Sequence, residues 1–250
     1  MLAAERRIKI LDLLHEEGKV QAADLSVRLG TCEDTIRRDL RALDAKGMLQ
    51  RVHGGALMRS PAEARFSDRQ RMSNTEKLEI ARKAAALIEP AMVVFLSGGT
   101  TNVQLASLLP RNLMATIITN NPAVAVALTD HTGIDLILVG GRVLKRTMVT
   151  VGSDTVDVLR GMHADLCMLG VCSVHAEVGL TIPDQEEVSV QQAMIQNAAE
   201  VVALVSQSKL NTASHFHVAD IHEVNTIVTE ASASVEVLKP YRDLDIEIVK

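Results

Sequence analysis

Apolar residues recur at helical spacing through Ile8, Ile10, Leu11 and Leu14, which predicts a helix from about Ala4 to Glu17, closed by Gly18. Lys19-Val20-Gln21 has room only for a short strand. Ala22, Leu25 and Leu29 repeat the helical spacing, Gly30-Thr31 makes a tight turn, and a third helix is expected from about Cys32 to Lys46, ended by Gly47. Leu49-Gln50-Arg51-Val52 reads as a strand, His53-Gly54-Gly55 as a turn and Ala56-Leu57-Met58 as the returning strand. Two short helices around a glycine turn, followed by a hairpin, make a winged helix-turn-helix.

The pattern then changes. Residues 59–74 are polar, with Pro61 early, and read as a solvated linker or crossing arm with Arg65, Arg69 and Arg71 within reach of DNA. Thr75 to Ile88 is expected to form an amphipathic helix that Pro90 stops. Continuous apolar runs follow at Met92–Leu96, Thr116–Thr119, Asp135–Val139, Leu166–Val171, Val201–Val205 and Thr226–Val228, with an edge strand at Asp245–Val249. Helical segments fall between them, at Asn102–Leu109, Pro122–Leu128, Thr155–Arg160 and Glu187–Ala199. Such runs, interleaved with helices, imply an α/β domain whose mainly parallel sheet is covered on both faces. The expected organisation is a winged helix-turn-helix at 1–58, a linker at 59–74 and an effector-sensing α/β domain at 75–250.

In sheets of this kind ligands sit at the carboxyl ends of the strands. The loops expected there are Ser97-Gly98-Gly99-Thr100-Thr101, Thr119-Asn120-Asn121-Pro122 and Gly140-Gly141-Arg142. Glycines let the backbone approach an anion, and a helix N-terminus offers free amides and positive potential. One such loop is often only a tight turn. Three in succession at one edge favour a phosphorylated small-molecule effector.

The third helix carries different chemistry. With Ile36 at zero and 100° per residue, Leu40 falls at about 40° and Leu43 at about 340°, so these three form a buried stripe. Arg38 at about 200° and Arg41 at about 140° face away with Asp34 and Ala45, and Thr35 and Arg37 lie on the shoulders. A charged helical face is often just a solvated surface. Here a hairpin follows directly and places Arg51 and His53 beside it, as docking on double-stranded operator DNA requires.

Net charge is −5 overall, yet residues 1–60 carry +2 and the remainder −7, so basic charge gathers at the front. With one Tyr, three Phe and no Trp, the chain is poorly equipped to stack single-stranded bases. Three cysteines among 250 residues give no disulfide framework and fit a reducing cytoplasm. No apolar run reaches the ~18 residues of a membrane span, and the first residues lack signal-peptide organisation. A cytoplasmic protein without membrane contact, metal or cofactor is the expectation.

The stretch DTIRRDLRALDAKGMLQRVHGGA closely resembles the recognition helix and wing of DeoR-type transcriptional regulators. The resemblance extends over nearly the whole chain. It implies a sensor domain similar to the ribose-5-phosphate isomerase sheet, regulation by sugar phosphates, repression relieved by ligand, and a homodimer or homotetramer. On that pattern Gly99, Thr100, Thr101, Asn120 and Asn121 hold phosphate, and Gly140, Gly141 and Arg142 lie beside the sugar. Asp184 and Glu187, after Gly179-Leu180, match a later sugar-side segment, and Lys209 matches a lysine near the last core strand. Departures are visible too. Where the family has Ser at the start of the recognition helix this chain has Cys32, a poor cap, so a capping box from Thr31 to Asp34 is expected instead. Acidic positions of the family near Ser97–Gly98 and Ser206 are neutral here, which implies either a different anionic effector or weakened sensing.

Cys167, Cys172, His163 and His175 match no zinc spacing, and His215-Phe216-His217 lacks a third ligand nearby. Two other functions remain open at this stage. One is a sugar-phosphate isomerase using Lys209, Glu187 and Asp184 as acid–base groups. The other is an adaptor whose winged helix no longer binds DNA, against which Arg37, Arg38 and Arg41 speak.

Overall fold

The helical spacing at the front of the chain is realised as α1 (Ala3–Glu17), β1 (Lys19–Gln21), α2 (Ala22–Arg28), α3 (Glu33–Asp44), β2 (Gln50–Val52) and β3 (Gly55–Arg59). The computed structural model describes residues 1–61, 65–71 and 74–250, so the expected linker at 59–74 lies partly outside the described residues. Ile10, Leu14, Leu25, Ile36, Leu40, Leu43 and Leu49 close one core between the three helices and the hairpin. Ile8, placed on the apolar stripe by spacing, is instead 60% exposed. β1 and β2 both pair antiparallel with β3, and because β3 already begins at Gly55 the wing turn is the two residues His53-Gly54.

The expected Thr31–Asp34 capping box does not form. Cys32 is the N-cap of α3, and no side chain caps it. The Thr31 amide donates to the Ser26 carbonyl at 3.0 Å, which holds Thr31 in the preceding turn, one residue too early to cap. Glu33 and Asp34 in the first turn still favour the positive end of the helix.

The second half contains α4 (Phe66–Arg71) and α5 (Asn74–Ala85), then β4 (Val93–Leu96), α6 (Thr100–Leu108), β5 (Ala115–Thr119), α7 (Pro122–Ala127) and β6 (Ile134–Leu138). It continues with β7 (Arg142–Leu144), β8 (Val149–Val151), α8 (Ser153–Arg160), β9 (Ala164–Gly170), β10 (Ser173–His175), β11 (Gly179–Ile182) and α9 (Gln185–Gln196). It ends with β12 (Ala198–Leu204), β13 (Thr212–Ala213), β14 (Phe216–Ala219), β15 (Thr226–Val228), α10 (Val235–Arg242) and β16 (Glu247–Val249). Seven strands form one sheet in the order β16-β15-β12-β9-β4-β5-β6, and every neighbouring pair is parallel.

These strands show no polar alternation because both faces are covered. Val94 and Leu96 of β4 enter a core with Ile80, Leu105 and Val124 of α5, α6 and α7. Phe95 between them enters the opposite core, with Leu159, Met194 and Leu238 of α8, α9 and α10. The antiparallel β7–β8 pair, the three-stranded sheet β10-β11-β14 and α10 are additions that the apolar pattern did not reveal.

The two halves share a sheet. β13 pairs parallel with the end of β3, Thr212 opposite Met58 and Ala213 opposite Arg59. The Ser60 hydroxyl donates to the Cys172 carbonyl, and Lys19 pairs with Glu177.

Candidate DNA-reading face and anion cavity

The two faces of α3 divide as the helical angles require. Ile36, Leu40 and Leu43 are buried, while Arg37, Arg38 and Arg41 are exposed. Asp39, only 2% exposed, clamps the helix to α1 by accepting from Arg6 Nε at 2.5 Å and Arg7 Nε at 2.8 Å. Arg37 pairs with Glu33 at 2.6 Å, whereas Arg38 and Arg41 pair with no acid among the described residues. Thr35 is half-buried at the start of the helix, where its hydroxyl lies 3.1 Å from Cys32 Sγ and holds that thiol below its ordinary pKa. Arg51 and His53 are exposed on the wing. The face therefore presents forked donors suited to guanine edges or phosphates, mounted on a helix fixed from behind.

At the carboxyl ends of β4, β9 and β12 lies a cavity of about 120 Å³. Gly98, Gly99, Thr100 and Thr101 form one wall, where α6 begins. Gly99 has φ 117°, a conformation that glycine adopts without strain, and it turns the chain so that the first amides of α6 are available. Three cations line the same cavity: Arg69 from α4, Lys77 from α5 and Lys209 from the turn after β12. Lys209 Nζ donates to the Val171 carbonyl at 2.9 Å, and burial, aided by Arg69 and Lys77, pushes its pKa down to about 8. Burial and the charge of Arg69 also lower the pKa of Lys77. Arg69 Nε is buried without an acceptor among the described residues. Glu187, 8% exposed, lines the far side with Gln191, and burial raises its pKa.

Comparison with known proteins decides what this pairing of faces belongs to. Residues 6–62 match the DeoR-like helix-turn-helix domain, and residues 72–231 match the DeoR C terminal sensor domain. The chain belongs to the DeoR family of transcriptional regulators. The HTH-type transcriptional regulator GlpR of Haloferax volcanii is 31% identical over 238 residues, covering 94% of this chain and 93% of that protein. The HTH-type transcriptional repressor GlcR of Bacillus subtilis is 32% identical over 232 residues, covering 92% and 89%. The glycerol-3-phosphate regulon repressor of Escherichia coli is 30% identical over 249 residues, covering 99% of each. Among solved structures, ribose 5-phosphate isomerase from Methanocaldococcus jannaschii overlaps 53% of this chain and 52% of its own at a TM-score of 0.39 and 20% identity, too distant to speak of function.

As a DeoR-family regulator the chain is not an enzyme, and several residues read from its loops have structural duties. Ser97 is 1% exposed, and its hydroxyl accepts from the Gly170 amide at 2.8 Å, tying β4 to β9. Asn120 Nδ2 donates to the Thr150 carbonyl at 3.0 Å, and Asn121 Oδ1 caps α7 through the Ala123 amide at 2.8 Å. Neither asparagine lines the cavity, although a methyl on Gly98 would lie 3.8 Å from Asn121 Nδ2. Gly140, Gly141 and Arg142 are also outside it. A Cβ on Gly141 would sit 2.1 Å from Thr155 Oγ1, so this glycine lets the chain pass close to α8, and Arg142 reaches Glu186 at the surface. Asp184 caps α9 through the Glu186 amide at 3.1 Å and pairs with Arg146 at 3.3 Å.

The sequence did point to Gly98, Gly99, Thr100, Thr101, Glu187 and Lys209, which the fold brings together around one cavity. It missed Arg69, Lys77, Thr147 and Gln191, which also line it. Arg69, read as part of a solvated arm, faces the sensor instead. Its signal was weak: an arginine three residues after Phe66, the one aromatic residue in the polar stretch. Cys167 and Cys172 are buried free thiols, and burial pushes Cys167 up to about 12. His215 and His217 are exposed, and no three potential metal ligands gather among the described residues. Nor is any described helix long and apolar enough to cross a membrane.

Proposed function

We propose that this DeoR-family regulator represses a carbohydrate-metabolism operon and releases its operator when a phosphorylated sugar or related anionic metabolite enters the cavity. The observation that carries this reading is the convergence of Arg69, Lys77 and Lys209 on the N-terminus of α6. A phosphate there meets backbone amides and the positive helix end on one side and half-buried cations on the other. Names of relatives agree with it: one is a repressor of a glycerol-3-phosphate regulon.

On the DNA side, α3 enters the major groove as part of a homodimer or homotetramer, with half-sites spaced by multiples of roughly 34 Å. Arg38 and Arg41 read bases, and Thr35, Arg37, Arg51 and His53 meet the backbone. Ser206, neutral where the family has an acid, lines the cavity with Arg69, Lys77 and Lys209 and suits an effector of higher negative charge.

The test is a gel shift of the protein on its own upstream DNA, with and without a panel of phosphorylated metabolites and their unphosphorylated parents. A specific shift released only by a phosphorylated compound supports the reading. Release by a neutral sugar, with every anion inactive, would overturn the assignment of the cavity.

A further inference from the structure

The described parts of the crossing between reader and sensor are built into the wall of the anion cavity. On the reader side Ser60 is buried against the Cys172 carbonyl, and Pro61 lines the cavity. On the sensor side the amide of Phe66, the first residue of α4, donates to the Arg146 carbonyl at 2.8 Å, and Phe66 is buried. Arg146 lies between β7 and β8, next to Thr147 of the cavity wall. α4 also packs against α6. Arg69, one turn on from Phe66, is thereby brought to the cavity, while Arg65 and Arg71 remain exposed.

Arg69 differs from those two arginines in ways that point to a ligand. Its Nε is buried with no acceptor among the described residues, and its carbonyl accepts from the Lys77 ammonium. Buried donors are almost always satisfied, so an orphan one on a guanidinium that lines a cavity calls for an oxygen from outside the protein. A guanidinium offers that oxygen a planar fork matched to phosphate, whereas lysines supply point charges. Lys209 is in any case already donating to the Val171 carbonyl.

Building on the anion-cavity reading above, we propose that Arg69 is an effector-binding residue and that α4 is the element through which the occupied cavity acts on the DNA-reading half. A phosphate seated at the α6 N-terminus takes the Arg69 fork, so α4 is held to the sensor by a charged bond as well as by Phe66. Six residues separate Arg59, at the end of β3, from Phe66, so a change in α4 reaches the wing within a short length of chain. A ligand shifts an equilibrium only by its difference in affinity between two states. Arg69 supplies that difference because it belongs to the crossing and not to the sensor sheet.

The experiment uses full-length protein, its operator fragment and two probes, inorganic phosphate and glycerol 3-phosphate, extended to the metabolite panel. Arg69→Gln is expected to weaken the ligand that the wild type binds by roughly 10-fold or more. It should also keep the operator complex intact at ligand concentrations that saturate the variant. Arg69→Lys, with charge but no fork, should fall between, and Arg71→Gln should match the wild type. If Arg69→Gln binds and releases as the wild type does while Lys209→Gln does neither, the cavity reading stands and the Arg69 proposal falls. If the wild type binds no phosphorylated compound at all, both fall. Weakened binding with full release at saturation would overturn the part given to α4.

Discussion

The reading face of α3 and the anion cavity both display arginine or lysine, yet they treat charge in opposite ways. On α3, Arg38 and Arg41 stand in solvent on a helix held from behind by the Asp39–Arg6–Arg7 cluster. In the cavity, Arg69, Lys77 and Lys209 are drawn together and partly desolvated, and Lys209 has given up much of its hold on its proton. Exposed cations are screened by salt. Buried cations are screened far less, and their protonation becomes part of the binding equilibrium. One half should therefore answer to ionic strength and the other to pH.

The sharpest way to break that contrast is to remove its hidden support. Asp39→Ala strands Arg6, 11% exposed, while Arg7, 32% exposed, can turn to solvent. It should cost the reader about 1.5–3 kcal/mol, the range for a hydrogen bond to a charged group. Hydrogen exchange should speed up across α1 and α3 and leave β4 and β9 protected; uniform acceleration would show that the halves unfold as one.

Of similar size is Lys209→Gln, expected to weaken anion binding by about 1.5–3 kcal/mol on the same grounds. The sign of the pH dependence follows from the lowered pKa. Below about 8 the ammonium is charged and the anion is held; as pH rises through and beyond 8 the charge is lost and affinity falls. A phosphate monoester is already mostly dianionic at pH 7, so the ligand contributes no opposing change. Lys77, whose pKa is also lowered, and Glu187, whose pKa is raised, act in the same direction as they lose protons. Calorimetric affinities from pH 7 to pH 9.5 should show this fall in the wild type and a smaller one in Lys209→Gln. Operator binding through arginines should show no such step.

The smallest expected change lies on the exposed face. Arg38→Ala should weaken operator binding by about 1–3 kcal/mol if it reads a base. Arg37→Ala should do less, because Glu33 already neutralises part of its charge at 2.6 Å. Fluorescence anisotropy on an operator fragment separates them, and equal losses would move the reading centre along the helix.

The same contrast explains what the sequence made legible. The reader is contiguous, so 100° steps placed Ile36, Leu40 and Leu43 inside and Arg38 and Arg41 outside, as found. The parallel sheet was visible for a similar reason, since each of its strands is one apolar run covered on both faces. The cavity is assembled from separate segments between Pro61 and Lys209, and only those with a local signature, such as the Gly98–Thr101 loop, could be picked out. Arg69 reaches it because Phe66 docks α4, a tertiary event without periodicity. Asn121 and Gly141 carried a ligand-like signature but spend it on capping α7 and passing close to α8.

The exposed face of α3 and the cavity are linked on this reading, and linkage is reciprocal. The most direct test is calorimetric titration of the effector identified by gel shift into the protein alone and into the protein saturated with operator. Operator is expected to weaken effector binding by the same factor as effector weakens operator binding, within roughly 5–150-fold. Equal effector affinity in both titrations would contradict it, leaving two sites on one chain with nothing passing between them.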